Sequence, residues 1–137
     1  MFEKLTCLLP QFSGDQPFGV LVRDEKGEGT ANDPITMPWI DYGEAVNTLW
    51  EAIYEFAEGH PELDLYKYDV ILEKNNLAWD WKSMTEADVS KLDGQAVMAL
   101  LMGATRAERF CDGVFLDFCE AGHIKRWLKR LKEIDAG

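Results

Sequence analysis

Residues 93–113 read DGQAVMALLMGATRAERFCDG. Every residue from Ala96 to Ala104 is apolar or glycine, so a helix over this run is apolar on every side and has to be covered on every side. Such a helix belongs at the centre of a bundle. Asp93 is placed to cap it, and it is predicted to run from Gln95 to about Cys111. Gly103 lets a neighbour approach the backbone closely, and Asp112 with Gly113 ends or kinks the helix.

Working outward, Val114 to Glu120 is predicted as a short helix stopped at Ala121 and Gly122. A last helix runs from Ile124 to about Ile134. In that last helix Ile124, Trp127, Leu128, Leu131 and Ile134 share one face, and Lys125, Arg126, Lys129, Arg130 and Lys132 the other. Upstream, Val46, Leu49, Trp50, Ile53, Phe56 and Ala57 follow helical spacing. Asp41 is the expected cap, with Glu44 three residues on as in a capping box, and Gly59, His60 and Pro61 terminate the helix near Glu58. A second helix is predicted over Leu65 to Lys74. Leu77 to Ser83 is read as a loop in which Trp79 and Trp81 share a side if extended, and Thr85 as the cap of a short turn. At the N-terminus, residues 2–9 form a short helix stopped by Pro10. Phe18 to Val22 and Ile35 to Ile40 are read as a hairpin with a long charged connection, Pro38 confining its strand to an edge. The fold class expected is mainly α (α+β): a helical bundle around a central apolar helix, with an N-terminal β-hairpin.

With 137 residues the chain is one domain, 1–137, divided into 2–40 and the bundle 41–135. Apolar residues make up 47% and include five Trp, enough for a core. There are 25 acidic and 14 basic residues, for a net charge of -11. That field repels phosphate, so direct binding of nucleic acid or an anionic membrane is not expected. A basic partner surface is. Three unpaired Cys and the lack of an apolar leader read as a reduced, cytoplasmic protein. No apolar stretch has the length of a membrane span.

Two clusters stand out as candidate sites. Residues 41–64 contain no Lys or Arg, and Glu44, Glu51, Glu55, Glu58 and Glu62 fall on one helical face at spacings of 7, 4, 3 and 4. Such a row can imitate a nucleic-acid backbone toward a protein that binds one; it can equally do no more than solvate a helix. The second cluster is Arg106, Glu108, Arg109 and Asp112, just past the apolar run. Glu108 falls close to the core stripe, where a carboxylate has to be paired or protonated. The four form either an internal ion-pair network or an anion clamp with Glu108 as a base. Cys111, Cys119 and His123 match no zinc spacing, and no nucleophile–base pair, phosphate loop or dinucleotide fingerprint is present. No catalytic residue, metal or cofactor is therefore expected.

Four strings carry a resemblance over nearly the whole chain: MPWIDYGEAV (37–46), HPELDL (60–65), MALLMGATRAERFCDG (98–113) and IKRWLKRLKEID (124–135). Together the chain resembles an uncharacterised family of small acidic bacterial proteins, a domain of unknown function common in Gram-positive bacteria and their mobile elements. The resemblance implies no activity, cofactor or catalytic residue; by association it fits an anti-defence or regulatory role. The leading expectation is a non-catalytic interaction module. The acidic helix would dock on a basic protein, in one form a nucleic-acid-binding protein of a defence system. The rivals are a small ligand-binding domain or enzyme built on Arg106 to Asp112, and a homodimer in which the basic last helix meets the acidic row of another copy.

Overall fold

In the computed structural model the chain is described over residues 1–13, 18–22, 39–111 and 113–136. The apolar run forms α6, Gly94–Ala107, and every residue from Ala96 to Thr105 is buried. Asp93 caps it, its Oδ1 accepting from Ala96 N at 2.9 Å. Around α6 stand α3 (Glu44–Gly59), α4 (Tyr68–Lys74), α7 (Val114–Glu120) and α8 (His123–Ala136), each packed against it. Two short helices, α1 (Glu3–Thr6) and α2 (Leu9–Ser13), lie on α8, and α1 also touches α3. The largest fully buried side chain is Trp127 of α8, seated in one continuous core with Phe115, Phe118, Leu49 and Ile53. At roughly 1.5–3 kcal/mol for each fully buried large apolar side chain, this core is the main stabilising term.

Local chemistry moved several predicted boundaries. Pro10 does not stop a helix. The break falls at Cys7 and Leu8, and Pro10 sits in the first turn of α2, where a missing N–H costs nothing. Asp41 is not a cap: it lies in a strand, and Gly43 is the N-cap of α3, without a side-chain bond. Residues 65–67 are a single 3-10 turn before α4. The expected loop before Ser83 is partly helical: α5 covers Trp81–Glu86, capped by Asp80, whose Oδ1 accepts from Ser83 N at 2.7 Å. Thr85 lies inside α5 and donates back to Trp81 O at 2.7 Å. The central helix ends at Ala107, four residues short of Cys111, with Glu108 as its C-cap.

The predicted N-terminal hairpin is not supported as a layer of the fold. What stands there is a four-residue antiparallel ladder of β1 (Gly19–Val22) and β2 (Trp39–Tyr42), Gly19 opposite Tyr42 and Val22 opposite Trp39. The second strand thus runs two residues past the expected end at Ile40. The connection, 23–38, lies outside the described residues. No helix among the described residues is long and apolar enough to cross a membrane.

Candidate functional site

Glu44, Glu51, Glu55 and Glu58 are all exposed on one side of α3, opposite the buried Val46, Leu49, Ile53 and Phe56. At 1.5 Å per residue the row is about 21 Å long. Among the described residues the one ion pair any of them makes is Glu55 with Lys4, at 3.9 Å between two exposed chains; such a pair contributes little. Glu62 does not belong to this row. The helix ends at Gly59, and Glu62 sits in a 3-10 turn beside His60, its Oε1 3.0 Å from His60 Nδ1. Its backbone amide first, and His60 second, hold the Glu62 carboxyl below its ordinary value.

The row borders a shallow hollow lined by Asn47, Trp50, Glu51, Tyr54, Glu55 and Glu58. Trp50 and Tyr54 also line an adjoining hollow with Thr105, Glu108 and Arg109. Trp50 and Tyr54 thus border both Glu51, Glu55 and Glu58 of the row and Glu108 and Arg109 of the second cluster. Trp50 meets Tyr42 and Phe115 edge-on, with centroids 4.8 and 5.2 Å apart, and its buried Nε1 finds no hydrogen-bond partner among the described residues.

The described members of the second cluster, Arg106, Glu108 and Arg109, make no ion pair with one another. Glu108 pairs with neither arginine. It accepts from Tyr42 Oη at 2.7 Å, from Gly113 N at 3.0 Å and from Phe115 N at 3.0 Å. Gly113 is the N-cap of α7 in the left-handed region (φ 91) and has no side-chain oxygen of its own. Glu108 supplies the missing cap from the end of α6, placing a carboxylate where the helix dipole favours one. Tyr42 Oη in turn accepts from Leu116 N at 3.1 Å. Burial first, then the bond to Glu108, push the Tyr42 phenol well above its ordinary value. Arg106 lies beside Tyr54 and Tyr68, which raise its pKa further, Tyr54 the more strongly. Arg109 is exposed and makes no ion pair among the described residues, and Asp112 lies outside them. A carboxylate already holding three donors is poorly placed to act as a base.

The basic face of α8 also divides. Arg126 donates to Ala87 O at 2.6 Å and to Thr85 O at 3.1 Å. Arg130 donates twice to Leu92 O, at 3.2 and 3.1 Å. Both guanidiniums staple the 85–92 segment to α8, and burial lowers the Arg126 pKa from its ordinary value. Lys125, Lys129 and Lys132 remain exposed. No cluster of three or more metal-ligating side chains occurs among the described residues.

One surface the site prediction missed is aromatic. Trp79, Trp81 and Phe110 are 38%, 44% and 78% exposed and border a single apolar groove. The sequence signal was the Trp-Asp-Trp triplet; what hid it was that a Trp or Phe beside an apolar run is ordinarily core.

Fold and site together define a small, acidic, mainly helical protein with an unneutralised carboxylate row and an aromatic wall. The chain belongs to a family of unknown function (DUF6508), which matches residues 2–136. No curated protein and no solved structure matches it.

Proposed function

We propose that this protein is a non-catalytic interaction module that docks the exposed face of α3 on a basic surface of a partner protein. The observation that carries the reading is the row Glu44, Glu51, Glu55 and Glu58, exposed along α3 beside the half-buried wall of Trp50 and Tyr54. Carboxylates steer and orient a cationic partner. The two rings supply the apolar and cation–π anchoring that a charge row alone lacks. Toward a nucleic-acid-binding protein the row stands in for phosphates. In its most concrete form the protein is a mobile-element or phage inhibitor of a nucleic-acid-directed defence system. The test is capture of partners from host lysate by the wild type and by Glu51→Lys, Glu55→Lys, Glu58→Lys, across a salt series. A partner retained by the wild type alone, and released by salt, is the expected result. Equal retention by both would sink the proposal.

Self-association is favoured by one observation. Exposed Lys125, Lys129 and Lys132 repeat the 4, 3 spacing of Glu51, Glu55 and Glu58. The net charge of -11 on each copy opposes it. A monomer at all concentrations in light scattering removes this second reading.

A further inference from the structure

Asp80 is extended (φ -146, ψ 163) and sends Trp79 and Trp81 to one groove. Trp79 is anchored from beneath: its Nε1 donates to Gly103 O at 2.9 Å, and its Cδ1 lies so close to Gly103 that an added Cβ would be 3.2 Å away. Trp79 meets Phe110 edge-on, at 5.9 Å and 80°. Trp81 leans on Phe118, 4.6 Å between centroids, and meets His123 edge-on at 5.9 Å. The groove is lined by both aromatic pairs, Trp79–Phe110 and Trp81–Phe118, and among the described residues no ring contact joins one pair to the other. Its remaining lining is Met84, Ala107, Cys111 and Val114, and among the described residues its one charged side chain is Asp80. Lys82 and Arg109 are sequence neighbours of these rings but do not line the groove. Asp80 uses Oδ1 to cap α5, and its other oxygen makes no bond among the described residues.

We propose that this groove binds the quaternary ammonium head-group of a small molecule. Aromatic faces carry negative potential, and Trp79 and Phe110, set at 80° to each other, with Trp81 beside them, offer such faces to a cation. Asp80 adds the counter-charge, and the net charge of -11 favours a cation's approach. A primary ammonium has three N–H donors, and among the described side chains of the groove only Asp80 offers a carboxylate to accept them. A methylated head-group has none to satisfy and buries its methyls against Met84 and Val114. The assignment is independent of the α3 reading.

The test is titration of the full chain with choline and with its neutral isostere 3,3-dimethylbutan-1-ol, followed by calorimetry and by chemical shifts of the indole N–H groups. A second readout is built in: Cys111 lines the groove and is exposed, while Cys7 is exposed elsewhere. Choline is expected to bind roughly tenfold tighter than the isostere and to slow alkylation of Cys111 but not of Cys7. Phe110→Ala and Asp80→Asn should each weaken binding about fivefold or more, with unfolding midpoints close to wild type, because Phe110 is outside the core and Asn keeps a capping oxygen. Glu51→Lys, Glu55→Lys, Glu58→Lys should leave choline affinity unchanged. Equal affinity for the isostere, no binding of either compound, or choline binding indifferent to Phe110→Ala would each overturn the proposal.

Discussion

Replacing Glu108 by Ala tests whether the end of α6 caps α7. The substitution removes one carboxylate and strands three donors: Gly113 N, Phe115 N and Tyr42 Oη. A hydrogen bond to a charged group is worth about 1.5–3 kcal/mol, and an unsatisfied buried donor costs about 1–3. The site is half-buried, so water refills part of the loss and the sum falls well below three full bonds. A destabilisation of about 2–4 kcal/mol is expected, or a fall in Tm of roughly 6–14 °C for a chain of this size. Glu108→Gln keeps an acceptor and loses the charge, so about half of that is expected. Tyr42→Phe removes one donor to Glu108 and the acceptor for Leu116 N, for about 1–1.5 kcal/mol. The two changes share the Tyr42–Glu108 bond, so the double variant should depart from additivity by about 0.5–1 kcal/mol. Urea unfolding followed by far-UV circular dichroism measures the four variants against wild type. A Glu108→Ala variant within about 0.5 kcal/mol of wild type, or strict additivity with Tyr42→Phe, would refute the capping reasoning.

Four further outcomes follow from the same geometry. The Tyr42 phenol is held above its ordinary 10.0 by burial and then by Glu108; its contribution is present in full below that value and is lost as the pH rises past it, so Tyr42→Phe should flatten the alkaline limb of the stability curve. His123 is depressed below 6.5 by burial and then by Arg126, and its Nδ1 faces Arg126 at 3.3 Å; the matching stability is present above 6.5 and is lost as the pH falls below it, and an NMR titration showing His123 at or above its ordinary value would contradict this. Arg126→Lys cannot hold both Thr85 O and Ala87 O and should cost about 1–2 kcal/mol in denaturant unfolding, whereas Lys129→Ala should stay within about 0.5. Thiol titration of the native chain should modify Cys7 and Cys111 readily and leave Cys119 unreacted, because Cys119 is buried and burial raises its thiol pKa.

What was legible in the sequence follows a rule of range. The central helix, the buried face of α3 and the amphipathic α8 are written in spacings of three and four residues, and one helix suffices to express them. Asp93 caps α6 through a bond three residues long, so local chemistry found it. The acidic row was legible for the same reason, up to Glu58. Glu62 was lost from it because Pro61 opens a separate turn. Where a local and a distant partner compete, spacing misleads: Glu108 has Arg106 and Arg109 beside it, yet it bonds Tyr42, 66 positions away, and the amides of α7.

By itself, then, the sequence determined a mainly helical chain built on Ala96 to Ala104, its charge of -11, and a carboxylate-bearing face on α3. These depend on composition and on periodicity along a single element. Only the tertiary structure decided that Glu108 is a cap rather than a base, and that Arg126 and Arg130 are staples rather than a free basic surface. It alone set Trp50 and Tyr54 at the border of both the α3 row and the Glu108–Arg109 hollow, and left Trp79, Trp81 and Phe110 facing outward. Each of these depends on which backbone carbonyls, amides and rings from remote segments arrive at the same place. That is settled by covering α6 on all sides at once, and no single stretch of residues records it.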